Sequence, residues 1–183
     1  MLIQAYNIID GLNGLASISF ITMLITVFFI TLEIDDYFLN ELSLFLFFGI
    51  MGVLIFNFPF GKIFLGDGGA YLIGSLSAFV VIVLSQTNEI VHPAVSLLLI
   101  IYPVYELIRS ILRRSLKNFS SVFSPDNKHL HSVIYKSNLS KLKKSPLFVN
   151  SFSSLQILII PTFSSFWSYY FYNNGLIIYV GII

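Results

Sequence analysis

The sequence predicts an all-α, polytopic transmembrane helix bundle, and three observations predict it. Hydrophobic residues make up 56% of the 183 positions and charged residues only 10%, whereas a soluble globule carries about 25% charge. Apolar runs close to the ~20 residues that cross a bilayer recur along the chain. Nine of the ten Lys and Arg residues lie between Arg109 and Lys144, so charge is segregated although the formal net charge is only +1. Cysteine is absent, which excludes disulfides, thiolate metal sites and cysteine nucleophiles. The first apolar run follows a polar motif rather than a basic segment, so no cleavable leader is expected.

About five spans are expected. Gly14–Leu32, Leu42–Phe60 and Ala70–Asn88 are the first three. Ile90–Tyr105 is short and is expected to continue to about Leu112, with Glu106 and Arg109 one turn apart and able to pair. Leu147–Tyr172 is the fifth, with a kink expected at Pro161. Leu176–Ile183 is too short to cross and reads as an interfacial tail or a cut-off sixth span. The whole of 1–183 reads as one membrane domain, with a cytoplasmic loop at 113–146. Excess Lys and Arg marks cytoplasmic loops, so the Arg109–Lys144 segment is expected inside. Counting back, the acidic loop Glu33–Glu41 and the turn near Asn88–His92 fall outside. Asp10, Lys62, Asp67, His129 and His131 all fall on the inner side.

Three polar constellations lie on that side. In Asn7–Ser17, NIIDGLNGLAS, the three-residue spacing of Asp10 and Asn13 gives them one helix face. The two groups read either as ligands or as caps of a helix start. In Gly61–Gly74, GKIFLGDGGAYLIG, the glycines at 66, 68 and 69 free backbone N–H groups and Lys62 adds a point charge, a combination that suits a phosphate. Asp67 could hold Mg²⁺ there, since that ion takes one or two carboxylates with phosphates and waters. A tight turn with a solvated aspartate is the alternative. The spacing is not that of a Walker loop. In Ser124–Lys136, SPDNKHLHSVIYK, Pro125 and Asp126 favour a turn start. His129 and His131 are two apart, which a helix would splay by about 200°, so joint action requires a turn or extended segment. The other reading is a solvated basic loop near anionic lipid. His92 reads as structural and Asp35–Asp36 as a solvated outer face.

In this order, the motifs NIIDGLNGLAS, FLGDGGAYLIG and PDNKHLHSVIY resemble those of the polyprenyl-phosphate N-acetylhexosamine-1-phosphate transferases, glycosyltransferase family 4. The bacterial branch acting on undecaprenyl phosphate is the most similar. The resemblance implies an inner-membrane enzyme with a cytoplasmic active site. Such an enzyme moves a sugar 1-phosphate from a UDP-sugar to a polyprenyl phosphate and releases UMP. It implies Mg²⁺, with Mn²⁺ as the alternative, bound by Asp67, and a catalytic role for Asp10 and Asp67. It also implies that Asn7, His129 and His131 bind substrate; Lys62 is added to these from its chemistry. No nucleic acid partner is expected. Two departures go with it: Ser132 stands where the family often has a further histidine, and Asp35–Asp36 does not supply the family's upstream Asp-rich motif. The chain therefore resembles the C-terminal half of such a transferase. An N-terminal half or a second copy is an expected partner, and a non-catalytic remnant or partner subunit is the other reading.

Overall fold

The computed structural model describes residues 1–115, 129–174 and 181, and the described residues form helices joined by turns, without strands. In chain order these are α1 (Leu2–Ile9), α2 (Leu15–Glu33), α3 (Tyr37–Asn57), α4 (Gly66–Thr87), α5 (Ala94–Leu99), α6 (Ile101–Ser115), α7 (Leu130–Leu142), α8 (Pro146–Ile157) and α9 (Ile159–Phe171). The architecture is the all-α polytopic bundle the sequence predicts. Among the described residues, α2, α3, α4 and the α8–α9 unit Pro146–Phe171 are long and apolar enough to cross a membrane. The Pro125–Asp126 turn and the 176–180 stretch of the tail lie outside the described residues.

The fourth expected span differs. It is divided at Ile100 into α5 and α6. Pro103 explains the break, because a proline has no N–H to offer the carbonyl four residues back and its ring collides with that carbonyl. Here that carbonyl is Leu99's, the last residue of α5. Pro161 acts in the same way on the carbonyl of Ile157, and α8 ends there, with Leu158 as the joint to α9. The kink expected at Pro161 is thus present three residues before it.

Core packing centres on α2, which is buried along most of its length by Leu15, Phe20, Met23, Leu24, Val27 and Ile30. It packs on α3 and α9, while α1 packs on α4 and α6. Gly74 permits a close approach of α1 to α4: a methyl group there would sit 2.7 Å from the Cα of Ile3. Several hydroxyls inside the spans are returned to their own helices, as in Ser19 to the Leu15 carbonyl at 2.7 Å and Ser77 to the Ile73 carbonyl at 2.7 Å. That removes the cost of unsatisfied donors in an apolar layer.

The polar loops separate into two ends. At one end, Asn88 donates to the Asp36 carboxylate at 2.8 Å, and the hydroxyls of Tyr169 and Tyr172 donate to Glu33 at 2.6 and 3.0 Å. His92 belongs there too, its Nδ1 accepting from the Ala94 N–H at 3.2 Å. Asp36 caps α3 through the Leu39 N–H. The residues expected outside therefore share one end of the bundle.

Candidate active site

At the opposite end, α1 stops at Ile9 and Asp10 is its C-terminal cap. The chain then turns through Gly11–Asn13 and enters α2 at Gly14, whose φ of 74° lies in the left-handed region glycine tolerates. Asp10 and Asn13 therefore do not share a helix face, as the spacing suggested, because the helix has ended before either could. Asn13 is a clamp. Its backbone N–H donates to Asn150 Oδ1 at 2.8 Å, and its side-chain amide donates to the Pro59 carbonyl at 3.1 Å and Ser151 Oγ at 3.3 Å. Asn57 works alongside it, accepting the Gly14 N–H and donating to the Ile63 carbonyl at 2.7 Å. The loop after α1, the loop after α3 and the start of α8 are thereby tied together. Sequence reasoning missed Asn57 and Asn150; Asn57 is a lone polar residue near the end of an apolar run, and Asn150 is one of several polar residues in a serine-rich one.

The glycine-rich stretch is helical rather than a free loop. Gly66–Gly69 form the first turn of α4, with Gly66 at φ 67°. The Gly66 N–H bonds to the Asp10 carboxylate, so an acid from one element is held at the N-terminus of another. Asp67 lies in the same turn, exposed. Burial pushes the Asp10 carboxyl up to about 6; the Gly66 N–H opposes this and the neighbouring Asp67 charge adds to it. A divalent cation relieves such a pair, because it favours the ionised form of both acids. Among the described residues no group of three or more His, Cys, Asp or Glu gathers in one place. Two carboxylates at a helix N-terminus are the kind of donor set that a hard divalent cation completes with waters and phosphates.

His131 approaches this loop from the other side. Its ring lies against the backbone of Gly11, where a methyl group would come within 2.5 Å of Nε2. A pocket of about 330 Å³ opens there, lined by Gly11, Leu12, His131, Ser132, Tyr135, Lys136 and Asn150. The two histidines meet because His129 is the extended N-cap of α7 and His131 is inside the helix. Their rings stack at 5.4 Å with 4° between planes. Burial, then the nearby His129, lowers the pKa of His131 to about 4, against a pull upward from Glu106. Glu106 on α6, 1% exposed, faces His129 Nδ1 at 3.4 Å and pairs with Arg109 at 3.6 Å as the spacing predicts.

Asp10, Asp67, His129 and His131 thus occupy one end of the bundle, linked through Gly11 and Gly66. Asn7 is half-buried on α1, one turn before Asp10. Lys62 is exposed on the adjoining loop, its Nζ 5.9 Å from the Phe60 ring centroid.

Comparison with known proteins bears on this arrangement. Residues 1–85 match the model of glycosyl transferase family 4. Over 98% of its length the chain is 28% identical to the probable undecaprenyl-phosphate N-acetylglucosaminyl 1-phosphate transferase of Bacillus subtilis, covering 51% of that protein. Over 72% of its length it is 32% identical to the undecaprenyl-phosphate alpha-N-acetylglucosaminyl 1-phosphate transferase of Thermotoga maritima, covering 39%. A stretch of 83 residues, 45% of the chain, is 35% identical to 25% of the phospho-N-acetylmuramoyl-pentapeptide-transferase of Streptococcus uberis. The chain spans about half or less of the length of these relatives. No solved structure matches it with significance.

Proposed function

We propose, from the premise that residues 1–85 match the model of glycosyl transferase family 4, that this protein transfers an N-acetylhexosamine 1-phosphate from a UDP-sugar to undecaprenyl phosphate. UMP is released, and the product feeds cell-envelope polysaccharide or peptidoglycan precursor synthesis. The observation that carries the reading is the meeting of Asp10 and Asp67 at the start of α4, with the stacked histidines beyond Gly11. Relatives named as undecaprenyl-phosphate transferases support the reaction class.

In this reading Asp67, with Asp10 beside it, holds Mg²⁺ or Mn²⁺. The bound ion supplies charge neutralisation and polarises a phosphoryl oxygen. The chain's own groups do the positioning. Asp10 is fixed by the Gly66 N–H, so its charge stays aimed at the start of α4. The first turn of α4 presents backbone N–H groups and the positive end of a helix dipole, which attract a phosphate. His129 and His131 contact the sugar-nucleotide diphosphate, with Asn7 and Lys62 as further substrate-binding groups. The lipid phosphate oxygen attacks the sugar-bearing phosphorus and UMP leaves. The basic segment from Arg109 to Lys144 supports a cytoplasmic position for this end, at the inner membrane.

The test is UMP release by membranes carrying the full-length natural protein. Asp67→Asn is expected to lower it on the order of a thousandfold, the equivalent of several kcal/mol of lost charge stabilisation. Undiminished Mg²⁺-dependent release by that variant would remove Asp67 from the site.

A further inference from the structure

We infer that Glu106 is a positioning residue that sets which nitrogen of His129 meets the ligand. This deepens the transferase reading and rests on it for the nature of the ligand. Four observations converge on one carboxylate. Glu106 is 1% exposed. Both of its oxygens accept from the Leu130 N–H, at 3.2 and 3.3 Å, so an acid on α6 caps the first turn of α7 across 24 positions of sequence. Its Oε2 stands 3.4 Å from His129 Nδ1. Arg109, one turn along α6, approaches its Oε1 at 3.6 Å.

A carboxylate accepts and does not donate. The proton facing it must therefore come from His129, on Nδ1. The 3.4 Å separation is long for a hydrogen bond, and such contacts tighten when a ligand closes the site. With Nδ1–H turned to Glu106, Nε2 of the neutral ring is an acceptor, left to receive a hydroxyl of the sugar nucleotide. The same carboxylate holds α7 by its first turn, and that turn carries His131 against Gly11. Glu106 thus fixes the tautomer of one histidine and the seat of the other without touching substrate.

Glu106→Gln separates these roles. The amide oxygen keeps the cap on Leu130, while the amide NH₂ now faces Nδ1 and drives the ring proton to Nε2. The fold is kept and the tautomer is reversed. In ¹⁵N-histidine NMR of the full-length protein in lipid, the signals of His129 and His131 are assigned by their loss in His129→Gln and His131→Gln. The expected wild-type spectrum shows His129 protonated at Nδ1, and the Gln variant shows that proton lost. In UMP release, the Gln variant is expected to raise KM for the sugar nucleotide tenfold or more with a smaller change in kcat. Glu106→Asp, which keeps the charge on a shorter arm, recovers part of it. An unprotonated His129 Nδ1 in the wild type, or a ring unchanged by Glu106→Gln, would overturn the inference even if the variant folds poorly. A tautomer that reverses in a protein releasing no UMP would uphold Glu106's role and sink the transferase reading instead.

Discussion

His131 is a residue whose titration the fold resists. Its pKa falls from 6.5 to about 4 because burial and His129 both penalise the charged ring. Between those values an undocked ring takes a proton that the docked ring refuses. The stability is complete above about pH 6.5 and is lost as pH falls through about 4, amounting to about 3 kcal/mol. Hydrogen exchange of the α7 amides, corrected for intrinsic rate, should therefore report easier opening at pH 4.5 than at pH 7. His131→Gln should abolish that difference; a wild-type α7 equally protected at both pH values would contradict it. Residues like this were visible in the sequence as chemistry but not as geometry. The His-x-His spacing allowed the rings to act together only from an extended or turn segment, and the extended N-cap conformation of His129 supplies it. Asp10 and Asp67 were legible as acids on one side of the bundle. That Gly66 would join them was not, because it depends on a contact across 56 positions of sequence.

Among the elements, prolines decide where helices stop and glycines decide where they touch. The break at Ile100 was concealed by an unbroken apolar run, since hydropathy does not register a missing N–H; Pro103 carried the signal. Gly74 has the opposite character, being ordinary in sequence and critical in packing. Gly74→Ala should push α1 from α4 and destabilise the protein by about 1–3 kcal/mol, because the added methyl meets the backbone of Ile3 rather than a flexible side chain. Gly52, in the middle of α3, has nothing within 4 Å of its missing Cβ, so Gly52→Ala should be neutral or stabilising by about 0.5–1 kcal/mol. Thermal unfolding in detergent compares the two, and equal effects would contradict this account of the α1–α4 crossing.

For the whole molecule, the gathering of the polar loops at two ends was the most legible property, because charge distribution and hydropathy act on every segment at once. The residues expected outside do gather at one end, where Glu33, Asp36, Asn88 and His92 are held in contacts, and the candidate site gathers at the other. A chain without cysteine makes the orientation directly measurable. In intact cells an impermeant maleimide should label Glu89→Cys, while Lys141→Cys should label only after the membrane is opened. The reverse pattern would place the candidate site on the wrong side for a cytoplasmic nucleotide.

One consequence follows from the seat of α1. This helix packs on both α4 and α6, locked to α4 at Gly74 and tied to its first residue through Asp10. Mechanically it is a wedge between two levers. A small rotation of either lever is felt at the wedge's tip, where the Gly66 N–H meets the Asp10 carboxylate. Whatever leans on the outside of the bundle, be it lipid or a neighbouring chain, thereby gains leverage over the seat of Asp10.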